Sequence, residues 1–179
     1  RLSDAEVDGY FAPLKLYRTL ILAVSGGADS TALMHLVSAW NARRRVAERC
    51  QVVAVTVDHA LRPEAADEAL AVARQAQALG LEHRTQRWEG EKPATGLQAT
   101  AREVRYRLLL EVARDVDTHR QTSSDRLATA ILTAHTADDQ AETLLMRLAR
   151  GSGVDGLSAI PAQSEATRFD PGRLGSVPI

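Results

Sequence analysis

Short unbroken apolar runs alternate along this chain with stretches in which apolar residues recur every three or four positions. Leu20–Val24, Gln51–Val57 and Leu127–Ala134 have the length and β-branched content of buried strands, and Glu82–Trp88 reads as a weaker strand of alternating character. Between them the spacing predicts helices from Asp29 to about Asn41, Glu64 to Leu79, Leu97 to Val116 and Asp138 to Arg150. Leu33, Leu36 and Val37 share one face of the first of these, and Gly80 ends the second. Ser3 with Glu6 three places on has the form of a capping box, opening a short helix that ends by Pro13. Arg43–Arg45, Glu89–Gly96 and Asp117–Asp125 read as loops, and beyond Gly151-Ser152-Gly153 the pattern fades. Four alternations of strand and helix predict an α/β fold: a doubly wound, mainly parallel sheet with helices on both faces. The expected organisation is one domain over residues 1–160 and a loop-like tail over 161–179.

In such sheets ligands bind beyond the carboxyl ends of the strands. That rule gathers Ser25–Ser30, Asp58-His59 and His135–Asp139 at one edge, each directly after an apolar strand. Ser25-Gly26-Gly27-Ala28-Asp29-Ser30 is a turn between strand and helix. A helix N-terminus offers unpaired N–H groups and partial positive charge, which suit phosphate. Two glycines remove Cβ atoms that would hold an anion off the main chain, and permit positive φ. No lysine follows, so this is not the G-x-x-x-x-G-K-[ST] loop. An ordinary strand–turn–helix corner would look similar.

Asp58-His59 is either a solvated strand end or a nucleoside contact. Thr136 and Asp139 approximate a capping box, and acids suit a first helical turn. Capping does not explain why Asp138 and Asp139 should both lie where phosphate is expected. Two carboxylates beside a triphosphate call for a divalent cation or an ammonium group between them, and Mg²⁺ takes carboxylate and phosphate oxygens together. His135 is a candidate proton shuttle. Arg102, Arg105 and Tyr106 stand at i, i+3 and i+4, so they share a helix face that could grip phosphate and stack on a base. On spacing alone a solvated face is the commoner meaning, and the same holds for Arg147 and Arg150.

The 179 residues carry a net charge of −1, which gives no global pull on a polyanion. Of 22 basic residues only Lys15 and Lys92 are lysines, which either favours phosphate forks or reflects codon bias. The single cysteine, Cys50, excludes an internal disulfide framework or cysteine cluster and reads as a small buried hydrophobe. No apolar run approaches the ~18–20 residues of a membrane span and no signal peptide appears, so a cytoplasmic protein with no membrane partner is expected. The chain opens on Arg1 and ends abruptly after Ser176–Ile179, which predicts a fragment of a longer protein.

Ser25-Gly-Gly-Ala-Asp-Ser resembles the PP-loop of ATP pyrophosphatases. Taken in order with Val57-Asp-His-Ala-Leu-Arg-Pro-Glu, Ala101-Arg-Glu-Val-Arg-Tyr, Ala134-His-Thr-Ala-Asp-Asp-Gln-Ala-Glu-Thr and Arg147-Leu-Ala-Arg-Gly-Ser-Gly, it resembles the tRNA(Ile)-lysidine synthetases over roughly Leu20 to Ile160. The resemblance implies an adenine nucleotide alpha hydrolase-like fold and a ligase that uses ATP and Mg²⁺. Its product would be lysidine, made from free L-lysine and the wobble cytidine of tRNA(Ile) with a CAU anticodon. It further implies ATP binding by Ser25, Gly26, Gly27, Ala28, Asp29, Ser30, Asp58 and His59. Metal would be held by Asp29 and Asp138, catalysis would involve Asp29, His135, Asp138 and Asp139, and tRNA or lysine would meet Arg102, Arg105, Tyr106, Arg147 and Arg150. A homodimer is left open, and C-terminal tRNA-binding domains would lie beyond this chain. Thr136 stands where many members carry a second histidine. Rival readings are a tRNA 2-thiolation enzyme of the same superfamily, many of which use paired cysteines, an amidotransferase-type synthetase, and a non-catalytic adenine-nucleotide binding module.

Overall fold

The structure, a computed structural model, describes residues 2–118 and 127–135. Four strands, β1 (Tyr17–Ala23), β2 (Gln51–Asp58), β3 (Glu82–Arg87) and β4 (Leu127–Thr133), form a parallel sheet in the order β3-β2-β1-β4. Helix α1 (Asp4–Tyr10) precedes the sheet, and α2 (Ala28–Arg43), α3 (Ala65–Ala78) and α4 (Leu97–Thr118) connect successive strands. Short 3-10 turns at Ala12–Leu16 and Val46–Glu48 complete the described elements. Strand β1 begins three residues earlier than its apolar run because Tyr17 and Thr19 pair with Leu127 and Thr129 of β4.

The uninterrupted apolar strands are explained by the two clusters they feed. Leu20, Leu22, Val52 and Ala54 pack with Met34, Val37 and Trp40 of α2 and Val72 and Ala76 of α3. Ile21, Val53, Val55 and Ile131 pack instead with Tyr106, Leu109, Val112 and Val116 of α4. Successive residues of one strand thus enter different clusters, so both parities of position are mainly apolar. Each fully buried aliphatic side chain contributes roughly 1.5–3 kcal/mol.

Local signals hold as well. Ser3 and Glu6 form the capping box, with Ser3 N–H donating to Glu6 Oε2 at 2.8 Å and Glu6 N–H to Ser3 Oγ at 3.4 Å. Gly80, at φ +69°, ends α3: the Leu81 N–H reaches Ala76 O and the Gly80 N–H reaches Gln77 O, both at 2.9 Å. The arginine run is no open basic loop. Arg43 is the last residue of α2 and bridges Asp4 at 3.1 Å and Asp8 at 2.9 Å. Arg44 lies 4.7 Å over the Trp40 ring and donates to Cys50 Sγ at 3.1 Å, and Arg45 pairs with Glu48. Cys50 is buried, as its place beside an apolar strand implies. Among the described residues no helix is long and apolar enough to cross a membrane.

Candidate functional site

Strand β1 delivers the chain to the carboxyl edge of the sheet, where Val24 N–H still bonds Val55 O at 2.9 Å. The chain then turns sharply into α2. Gly26 sits at φ +88°, a conformation that favours glycine. Gly27 differs: it is the N-cap of α2 at φ −69°, ψ 162°, which any residue adopts. The expectation that the turn needs both glycines for their backbone freedom is corrected, since only Gly26 does. Gly27 supplies no side-chain cap, so the first N–H groups of α2 lack an intrahelical or capping partner. The turn is tied by Ser30, whose Oγ accepts the Ser25 N–H at 3.2 Å, lies 3.2 Å from Ser25 Oγ and donates to Gly27 O at 3.1 Å. Ser25 to Asp29 are exposed above it.

This turn walls one side of a cavity of about 250 Å³ at the carboxyl ends of β1, β2 and β4. Ser25 and Ser30 face Asp58 and His59 from β2, Arg105 from α4, and Thr133 and His135 from β4. Three separate strand ends therefore meet, as the topology of a parallel sheet requires. The cavity is equipped for a polar occupant. His59 Nδ1, Arg105 Nε and Thr133 Oγ1 are buried atoms without a hydrogen-bond partner, and all three residues line it. A buried unpaired polar group costs about 1–3 kcal/mol, which a ligand hydrogen bond recovers.

Asp58 lines the cavity and also shapes the turn that follows β2. It is 7% exposed, and its Oδ1 accepts the Ala60 N–H at 2.7 Å. That bond closes an Asx turn around Ala60, a non-glycine residue at φ +51°. Its Oδ2 stands 3.9 Å from Arg87 Nε. The carboxylate thus shapes the turn that presents His59. Burial is the main cause that pushes the His59 pKa below its ordinary value. The Arg105 charge adds to the shift, Asp58 opposes it, and Lys92 lowers it further. The imidazole is consequently held neutral near pH 7.

The shared face expected of Arg102, Arg105 and Tyr106 divides three ways. Tyr106 is 2% exposed and belongs to the core cluster beneath the sheet, so its ring is not available to stack on a base. Arg105 lines the cavity, whereas Arg102 is exposed outside it. Both guanidiniums lie over the Tyr106 ring, at 5.1 Å for Arg102 and 5.4 Å for Arg105. Asp29 is exposed and lines a second cavity, shared with His135 and with Val7, Tyr10 and Phe11 of the N-terminal segment. Among the described residues no group of three His, Cys, Asp or Glu is placed to hold a metal. Asp138, Asp139, Arg147, Arg150, Thr136 and the 161–179 tail lie outside the described residues.

Sequence reasoning missed Thr133, and it missed Trp88 and Lys92, which lie behind His59. The strand-end rule that selected the residues after β1, β2 and β4 applies equally to β3, whose next residue is Trp88.

The chain is 54% identical over 164 residues to the tRNA(Ile)-lysidine synthase of Bradyrhizobium diazoefficiens, covering 92% of this chain and 42% of that protein. It is 49% identical over 164 residues to the tRNA(Ile)-lysidine synthase of Rhodopseudomonas palustris, covering 92% of this chain and 44% of the relative. The chain thus spans less than half the length of these relatives. Among solved structures, the U34-tRNA thiolase NcsA from Methanococcus maripaludis, with its 4Fe-4S cluster, superposes with a TM-score of 0.61 at 14% identity. The superposition covers 85% of this chain and 50% of that one, and at this identity it speaks for the fold alone. The family model of the PP-loop domain matches residues 3–173. With a match over nearly its whole length, this chain belongs to the PP-loop domain family.

Proposed function

We propose that this chain is the ATP-using catalytic domain of a tRNA(Ile)-lysidine synthase, joining free lysine to C2 of the wobble cytidine of a tRNA(Ile) with a CAU anticodon. The observation that carries the reading is the cavity itself. It sets Ser25 and Ser30 of the glycine turn opposite His59, Arg105 and His135, in a chain about half identical to lysidine synthases. We read the sheet as doubly wound in the adenine nucleotide alpha hydrolase manner, supported by the alternate entry of β1 and β2 residues into two clusters.

The exposed turn over the N-terminus of α2 binds the phosphates of ATP through main-chain N–H groups. The cytosine O2 attacks the α-phosphorus and pyrophosphate leaves. Adenylation makes C2 electrophilic, the lysine ε-amine adds there, and AMP departs. Arg105, with a buried Nε–H to donate, suits an oxygen that gains negative charge. His59, held neutral, and His135 are the candidates to take the proton shed by the amine. The Asp29 carboxylate offers the hard oxygens that Mg²⁺ prefers, with Asp138 as the second proposed ligand, and the ion would screen the triphosphate charge when bound. Asp138 and Asp139 are assigned to metal or lysine, and Arg102, Arg147 and Arg150 to tRNA. The protein is read as cytoplasmic, with C-terminal domains beyond residue 179 and a homodimer as one arrangement for the assembly.

The 2-thiolation alternative is less well supported, because the single cysteine is buried and bonded to Tyr17 O at 3.2 Å, away from the cavity. A product assay on the full-length protein tests the proposal. Pyrophosphate should appear only when tRNA(Ile) is present and AMP only when lysine is added as well, and release of ADP and phosphate contradicts it. A module that merely binds nucleotide releases neither.

A further inference from the structure

The connection between β3 and α4, whose sequence announces only a loop, converges on the back of His59. Trp88 follows β3 directly, is 5% exposed, and donates its backbone N–H to Asp58 O at 2.8 Å. Its indole meets the His59 imidazole edge to face, with centroids 6.0 Å apart and planes at 83°. Gly90, at φ +89°, turns the loop back, and Lys92 folds over Trp88. The ammonium lies 4.2 Å from the Trp88 ring centroid and donates to Trp88 O at 2.7 Å and Gly90 O at 3.2 Å. Neither Trp88 nor Lys92 lines the cavity, whereas His59 does.

We propose that Lys92 is a positioning residue for His59: it clamps Trp88, and Trp88 fixes the imidazole in the cavity. The proposal rests on the reading of that cavity as the reaction site. Among the described residues Lys92 has no carboxylate partner, and its charge is instead met by two carbonyls and an aromatic face of its own loop. Such an arrangement makes one rigid unit of residues 88–92, because the ammonium can leave the ring only by surrendering both carbonyl bonds. The unit meets His59 from two directions: through the backbone, where Trp88 N–H holds the end of β2, and through the side chain, where the indole packs edge to face against the imidazole. The Asx turn of Asp58 fixes the chain just after His59. The charged groups that bear on the imidazole are Lys92 from this loop, Arg105 from α4 and Asp58 from β2.

The test uses the full-length protein as wild type, Lys92→Met and Lys92→Arg. Methionine keeps an unbranched apolar stem and removes the cation and both donors, while arginine restores them. The ring resonances of His59 are followed by NMR on histidine-labelled protein across pH, assigned by their loss in His59→Gln. Lys92→Met should shift those resonances and raise the His59 titration midpoint, since a nearby cation is gone. It should also lower kcat for lysine transfer about tenfold while KM for ATP changes by about twofold or less, with Lys92→Arg recovering both readouts. His59 resonances and midpoint unchanged in Lys92→Met overturn the proposal. His59→Gln turning over at the wild-type rate, with Lys92→Met still moving the ring, would keep the clamp and instead remove His59 from the reaction.

Discussion

Ser30 Oγ accepts the Ser25 N–H at 3.2 Å, so the end of the glycine turn is fastened back to its beginning. Ser30 is 8% exposed while Ser25 to Asp29 are open, which makes it a structural tie beneath an exposed turn. Ser30→Ala should cost the loop about 1 kcal/mol and weaken ATP binding several-fold. Calorimetry of ATP binding, with thermal unfolding alongside, checks both parts.

The two glycines should separate cleanly. Gly26→Ala forces φ +88° on a residue with a Cβ and should cost about 1–2 kcal/mol of stability. Gly27→Ala meets no such strain, because its Cβ would stand 3.6 Å from Ser25 Oγ, an ordinary contact. That variant should fold as well as wild type yet bind ATP more weakly, its methyl group crowding the approach to the main chain. Equal loss of stability in both would contradict the assignment.

Tyr106 belongs to the core and Arg102 to the surface. Tyr106→Ala should therefore lose about 3–5 kcal/mol in denaturant unfolding, the usual cost of emptying a large aromatic site. Arg102→Ala should stay within about 1 kcal/mol of wild type and show its effect, if it contacts tRNA, as weaker tRNA binding with a reduced salt dependence.

Asp58 offers a finer discrimination. Asp58→Asn retains an oxygen to accept the Ala60 N–H, whereas Asp58→Ala leaves that half-buried donor unpaired. The alanine variant should be less stable than the asparagine variant by about 1–2 kcal/mol. Ala60→Gly should relieve the positive φ and gain up to about 1 kcal/mol. Equal stabilities for the two Asp58 variants would show that charge, not the turn, matters there.

Burial lowers the pKa of both His59 and His83, the latter paired with Thr56 at 3.0 Å. Each histidine binds its proton more readily in the unfolded chain, whose imidazole titrates near ~6.5. The stability they contribute is complete above that value and is lost as pH falls through the lower folded pKa. Urea unfolding from pH 8 to 5 should show His83→Gln losing less stability on acidification than wild type. A steeper loss in the variant would reverse the sign of the argument.

Much of the site was legible because strand ends are legible: three apolar runs, each followed by polar residues, lead to one cavity in any parallel sheet. The same rule, extended to β3, would have reached Trp88. What spacing does not settle is which way a helix face looks. Arg102, Arg105 and Tyr106 do share a side of α4, but Tyr106 heads the row Tyr106, Leu109, Val112 and Val116, an apolar stripe that commits it to the sheet. A glycine pair does not reveal which member needs its freedom, since that depends on φ alone. An aspartate at a strand end can bind a ligand or close a turn, and spacing does not reveal the 2.7 Å bond by which Asp58 holds Ala60. The arginine run was legible as charge but not as structure, because its partners Asp4, Asp8 and Trp40 are fixed by the packing of α1 on α2 and by the helix itself.

The most direct measurement is transfer of radiolabelled lysine by the full-length protein to a panel of tRNA transcripts in the presence of ATP. Label should enter tRNA(Ile) with a CAU anticodon, with one AMP released per lysine joined, and should be absent when the wobble cytidine is replaced. Labelling of transcripts that lack this cytidine, or no labelling with tRNA(Ile) while ATP is still consumed, would contradict the account.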